Sequence, residues 1–183
     1  MINWIIPGAI AIVILYVIYA YNSLINLENR VDNAWSQIRV QLKRRSDLIP
    51  NIVETAKQYA DHEQDVFKAV SEARNQLDGA ASPKENAKAS EALSSSLGRL
   101  FAIAEDYPDL KADNNYRQVQ EELSSTENKI AYARQHYNDV VTAYNTRIES
   151  FPANTVASTF SFNERELFQV ENEDLDDFTV SFS

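Results

Sequence analysis

The sequence predicts an all-α protein, an antiparallel up-and-down four-helix bundle behind a single N-terminal transmembrane helix. Three observations carry this. Only 3 glycines and 5 prolines punctuate 183 residues that are rich in Ala, Glu, Gln, Ser and Asn, a composition of helix formers with few turns. An uncharged run, WIIPGAIAIVILYVIYAY, extends from Trp4 to Tyr21. After it, apolar residues recur by threes and fours, the beat of helices that bury one face. Three segments are expected: an anchor over 1–26, a helical domain over 27–152, and an acidic, aromatic tail over 153–183.

The anchor comes first. Its charge-free run would span roughly 27 Å as a helix, close to the hydrocarbon thickness of a bilayer. Trp4 stands at one end, with Tyr16, Tyr19 and Tyr21 toward the other, as interfacial aromatics do. Pro7 falls in the first turn, where a missing N–H costs little. A cleaved signal peptide would want a cation before the apolar core and a small-x-small site after it, and neither is present. The lipid bilayer is therefore the first expected partner. Arg30, Arg39 and the Lys43-Arg44-Arg45 run follow the span and no Lys or Arg precedes it, so the helical domain is expected in the cytoplasm and the N-terminus outside.

In the helical domain, the first stripe is Leu24, Leu27, Val31, Ala34, Ile38 and Leu42, with Trp35 beside it. A second runs Ile49, Ile52, Ala56, Tyr59, Val66, Val70, Ala73 and Leu77, interrupted at Glu63 and stopped by Gly79. Pro50 raises the question of one bent helix or two. A single helix from Asn22 to Asp78 would be roughly 85 Å long, too long for the fourth helix to cover. The sequence is therefore read as two helices, with Asp47 capping the second, Pro50 in its first turn, and Lys43–Arg45 at the preceding C-terminus, where the macrodipole favours cations. The apolar beat can nevertheless be phased through the break. Ser82-Pro83-Lys84-Glu85 reads as a capping box that opens a third helix with the stripe Ala89, Leu93, Leu97, Leu100, Ile103 and Ala104, ended by Pro108. The fourth stripe is the most regular: Val119, Leu123, Thr126, Ile130, Ala133, Tyr137, Val140, Tyr144, Ile148 and Phe151, stopped by Pro152.

Three segments, NRVDNAWSQIRVQLKRRSDLIPNIVETAKQYADHE from Asn29, ARNQL at Ala73–Leu77 and ARQHYNDVVTAYNTRIESFPAN at Ala133–Asn154, resemble the LemA family of bacterial membrane proteins. The resemblance runs essentially the whole length. It implies a left-handed up-and-down helical bundle behind one N-terminal span, and it brings no catalytic residues to carry over.

The absence of cysteine excludes a disulfide framework, a thiol nucleophile and a thiolate metal site. A net charge of −10 argues against nucleic acid as a partner. The only histidines open two H-x-x-D patterns, His62/Asp65 and His136/Asp139, both expected on helices. Two such pairs would suit a divalent ion held between helices, and they define the alternative reading, a metal-dependent or enzymatic membrane protein. The Glu-x-x-His pairs of di-iron bundles are missing, however, because Tyr59 and Ala133 occupy those places. No metal, cofactor or catalytic residue is therefore assigned. Arg74 and Arg134 read as ion-pair residues, and Asn138 and Asn145, one heptad apart, as inter-helix hydrogen bonders.

The tail changes character. Phe160 and Phe162, then Phe178, Val180 and Phe182, alternate with Ser and Thr at strand-like period two around an acidic patch. It reads either as docked on the helices or as an extended motif offered to a protein partner. The function expected is an interaction or scaffold module at the membrane rather than an enzyme.

Overall fold

The computed structural model of the chain describes residues 5–170. The all-α expectation holds, with no strand among the described residues. Helix α1 covers Ile5–Lys57, α2 Gln64–Gly79, α3 Pro83–Asp106, α4 Pro108–Ala112, α5 Asn114–Glu149 and α6 Ala153–Thr159.

Helix α1 continues through Pro50, which corrects the reading of two helices meeting there. Pro50 is exposed, while Ile49, Ile52 and Val53 around it are buried. The packing of those neighbours outweighs the roughly 3 kcal/mol that an interior proline costs a helix. The chain reverses instead at 58–63, where the apolar beat lapses and only Ala60 is buried between Ala56 and Phe67. The objection from length fails because the start of α1 lies outside the packed domain. From Ala20 to the 58–63 turn, α1 runs roughly 60 Å, close to the roughly 54 Å of α5. Asp47 caps nothing and instead pairs with Lys43 at 2.8 Å on an exposed face. The three cations therefore sit in mid-helix, not at a helix end.

Other local signals act as their chemistry dictates. The Ser82 side chain accepts from the Glu85 N–H at 3.2 Å, and the Glu85 carboxylate accepts from the N–H groups of Ala81 and Ser82. Those bonds hold the Glu85 carboxyl below its ordinary range. Asp113 caps α5 by accepting from the Tyr116 N–H at 2.8 Å.

Helices α1 and α5 lie antiparallel. Tyr59 Oη donates to Asp113 at one end (3.1 Å), and the Tyr21 and Phe160 rings meet at 4.8 Å at the other. The α2–α3 hairpin covers the part of this pair nearer the 58–63 turn, reaching back to the level of Ser46, whose hydroxyl donates to Asp78 at 2.8 Å. Beyond it, α6 and the irregular segment 160–170 take over the covering role. The stripes of α1, α3 and α5 are buried as expected for the most part, with Leu27, Ile103 and Val119 partly buried, while Tyr59 in the turn is exposed and Phe151 is 85% exposed. It lies past the end of α5, so the helical spacing that would bury it no longer applies.

Candidate functional site

Segment 160–170 forms a strap along α5, and its attachment rests on a repeated dipeptide. Tyr137-Asn138 and Tyr144-Asn145 recur one heptad apart. Asn145 donates to the Arg165 carbonyl at 2.9 Å and accepts from the Arg165 N–H at 3.0 Å. Asn138 treats Phe168 the same way, donating at 3.3 Å and accepting at 2.9 Å. Tyr144 Oη donates to the Asn163 carbonyl at 3.0 Å and Tyr137 Oη to the Glu166 carbonyl at 2.7 Å. Seven helical residues rise roughly 10.5 Å, and three extended residues advance about 10 Å. The heptad thus matches a three-residue step of the strap. This corrects the expectation that Asn138 and Asn145 join two helices, because both bond the backbone of the strap.

Side chains lock the strap from above and below. Phe168 is buried against Trp35, and Trp35 also meets Tyr137, with ring centroids 5.6 Å apart. Arg165 pairs with Glu28 of α1 at 2.8 Å and lies 3.6 Å from Asp32. Burial pushes the Tyr137 phenol up to about 12 and raises that of Tyr144.

A polar node lies deeper. Arg45 is buried, with its guanidinium 2.6 Å from Glu127 and donating to Ser90 at 3.3 Å and Ser94 at 2.9 Å. It thereby joins α1, α3 and α5. Burial lowers its pKa, opposed by the Glu127 charge. On the α2 side, Arg74 Nε donates to Ser46 Oγ at 3.2 Å and lies 3.7 Å from Asp78, the ion-pair role expected of it. Between α3, α5 and the end of the strap opens a cleft of about 960 Å³, whose walls include Ser90, Ser94, Glu127, Arg134, Asp139 and Phe168. Ser94 is already engaged, with its hydroxyl within reach of the Ser90 carbonyl and of Glu127, a carboxylate that is itself paired with Arg45.

The two histidine pairs are not brought together. His62 stands in the exposed 58–63 turn rather than on a helix, which corrects that expectation. His136 and Asp139 are exposed on α5, roughly 33 Å along that helix from its start beside the turn. Among the described residues no three His, Asp or Glu side chains gather as a metal site.

Of the tail aromatics, Phe162 is partly buried and Phe160 is 49% exposed, both against Tyr21. Neither lies in a strand: a short turn holds Phe160 and Ser161, and irregular chain follows. Trp4, Phe178, Val180 and Phe182 lie outside the described residues. Sequence reasoning missed the Arg45 node and the buried Phe168. Both left a legible signal: the Tyr-Asn repeat for the strap, and for Arg45 its place three residues after Leu42 and four before Ile49, in phase with the buried stripe of one continuous helix.

Among the described residues, α1 is the one helix long and apolar enough to cross a membrane. The chain is 28% identical to Protein LemA of Metamycoplasma hominis over 169 residues, 89% of this chain and 77% of that protein. It is 25% identical to Magnetosome protein MamQ 2 of Paramagnetospirillum magneticum and to Magnetosome protein MamQ of Magnetospirillum gryphiswaldense, in each case over 81% of this chain and 64% of the relative. The family model for LemA matches residues 34–182, from Ala34 within the α1 stripe through the strap and into the tail, and the chain belongs to the LemA family.

Proposed function

We propose that the protein is a single-pass membrane-anchored helical bundle that serves as an interaction or scaffold module at a bacterial membrane, without catalytic chemistry of its own. In this reading α1, α2, α3 and α5 are the four antiparallel bundle helices. One observation carries it: α1 runs unbroken from Ile5–Leu15, exposed on every side and apolar, into the buried stripe of the domain. A helix exposed and apolar all round is at home in lipid, and its continuity fixes the domain's position relative to the bilayer. The flanking cations Arg30, Arg39, Lys43 and Arg44 orient the domain toward the cytoplasm. Phe178, Val180 and Phe182 follow the strap and are offered to a protein partner.

Alkaline carbonate extraction of membranes from expressing cells tests the anchor. The chain should stay in the pellet, and quantitative release would overturn the reading. A reporter fused after Ser183 should work only in the cytoplasm; activity confined to the outside would reverse the orientation. Crosslinking in native membranes, with and without residues 171–183, tests the scaffold role, and partners should be lost on truncation while helicity is retained.

A further inference from the structure

We propose that the end of the domain formed by the turn after α5 and the end of α6 is a lipid-contacting foot, with Phe151 and Phe160 seated at the boundary between headgroups and acyl chains. This rests on the reading of the first part of α1 as a membrane span.

The first argument is one of length. Helix α1 is exposed on every side only from Ile5 to Leu15, roughly 16 Å of helix. From Tyr16 onward the domain packs on it: Tyr16 and Val17 are partly buried, Ala20 and Leu24 fully. A hydrocarbon layer of roughly 30 Å takes about 20 helical residues. Counted from Ile5, where α1 begins among the described residues, it ends near Leu24. The layer therefore overlaps the level at which the domain begins by roughly 10 Å. The foot cannot stand clear of the membrane that the helix crosses.

The second argument is composition. The chain is 24% charged, yet Ser150–Asn163, SFPANTVASTFSFN, carries no charge. The longer charge-free run is the anchor itself, which lasts until Glu28. The fold places the two runs side by side, with Tyr21 against Phe160 and, at 5.8 Å, against Phe162. Exposure agrees. Ala153, Val156 and Ala157 hold α6 to the core, while Phe151 at 85% and Tyr19 at 65% exposed bury little against protein. Aromatic rings at such a level match the interfacial belt of membrane proteins. The foot has no cation, so apolar area, not attraction to anionic headgroups, drives the contact.

The chain has no cysteine, so single substitutions give unique labels. The test places a nitroxide on Phe151→Cys, Phe160→Cys, Val13→Cys and Tyr132→Cys in the full chain, reconstituted in vesicles of phosphatidylcholine and phosphatidylglycerol at a ratio of about 3:1. Accessibility to dissolved oxygen is compared with accessibility to an aqueous nickel chelate. Labels at 151 and 160 should be several-fold less accessible to nickel than the exposed label at 132, at either low or high salt. If 13 is lipid-protected but 151 and 160 match 132, the foot is overturned while the anchor stands. If 13 is itself open to nickel, the span reading fails and takes the proposal with it. Protection of 151 in native membranes but not in pure lipid would overturn it in favour of a protein partner.

Discussion

Arg45 and Glu127 share their 2.6 Å contact unequally: the Arg45 side chain is 4% exposed and that of Glu127 47%. The cation has given up its water, whereas the Glu127 side chain is half exposed even though its Oε2, the oxygen that faces Arg45, is buried. Arg45 Nε moreover finds no hydrogen-bond partner among the described residues.

That asymmetry sets two substitutions apart. Removing the acid strands a buried guanidinium on two serines, so Glu127→Ala should cost roughly 2–3 kcal/mol, less than a fully buried pair because Glu127 is half in water. Arg45→Met removes the buried cation, and the half-exposed Glu127 side chain needs only to turn its buried Oε2 outward to regain water, so the change in stability should be no more than about 1 kcal/mol. Urea midpoints of the full chain in detergent measure both. The order of the two losses reversed would contradict the account.

Two buried tyrosines should respond oppositely to loss of the hydroxyl. Tyr137 Oη donates to the Glu166 carbonyl at 2.7 Å, whereas Tyr116 Oη has no partner among the described residues. Tyr137→Phe should cost about 1 kcal/mol, and Tyr116→Phe should be neutral or stabilising. Equal losses in the same assay would refute the contrast.

The same phenols bear on alkaline stability. Burial pushes both Tyr116 and Tyr137 up to about 12, above the value of about 10 for an unfolded phenol. The folded state holds these protons more tightly, so the stability they confer is intact below pH of about 10 and is lost as pH climbs toward 12. The double variant Tyr116→Phe/Tyr137→Phe should lose less helicity than wild type over that window in a circular dichroism titration. Identical profiles would show that other groups govern the loss.

Asn145→Ala removes both bonds to Arg165 and should release the strap locally, at about 1–2 kcal/mol. Hydrogen exchange at the amides of Arg165 and Phe168 reads this directly. Both should speed up, because the Asn138 grip lies one heptad along the same strap. Faster exchange confined to Arg165 would mean that the two grips are independent.

Pro50→Ala restores an N–H in mid-helix without disturbing the buried Ile49 and Ile52, and should stabilise by roughly 1–3 kcal/mol. Destabilisation would instead support a turn at this position.

The sequence by itself determined the helical state, the capping box at Ser82, most of the buried stripes and the apolar character of the anchor. These are local properties: periodicity and caps are written within a few residues, and helix formation responds to them at that range. Even the strap left a mark, since Tyr-Asn repeats at a spacing that an extended chain can follow.

Tertiary structure decided the rest. Only the reversal at 58–63, with the start of α1 outside the packed domain, lets α1 run through Pro50 and still be covered by the roughly 54 Å of α5. The spacing of Leu42, Arg45 and Ile49 puts the third cation on the buried face of a continuous helix, but only the fold brings Ser90, Ser94 and Glu127 around it. Asn138 and Asn145 would bond a neighbouring helix as readily as a strap, and Phe151 keeps the spacing of a buried stripe after the helix has ended. Each of these outcomes depends on what lies opposite, as Arg165 does on Glu28, 137 residues away. Desolvation and pairing are set by the partner across the contact, and a one-dimensional pattern specifies the face of a helix but not what meets it.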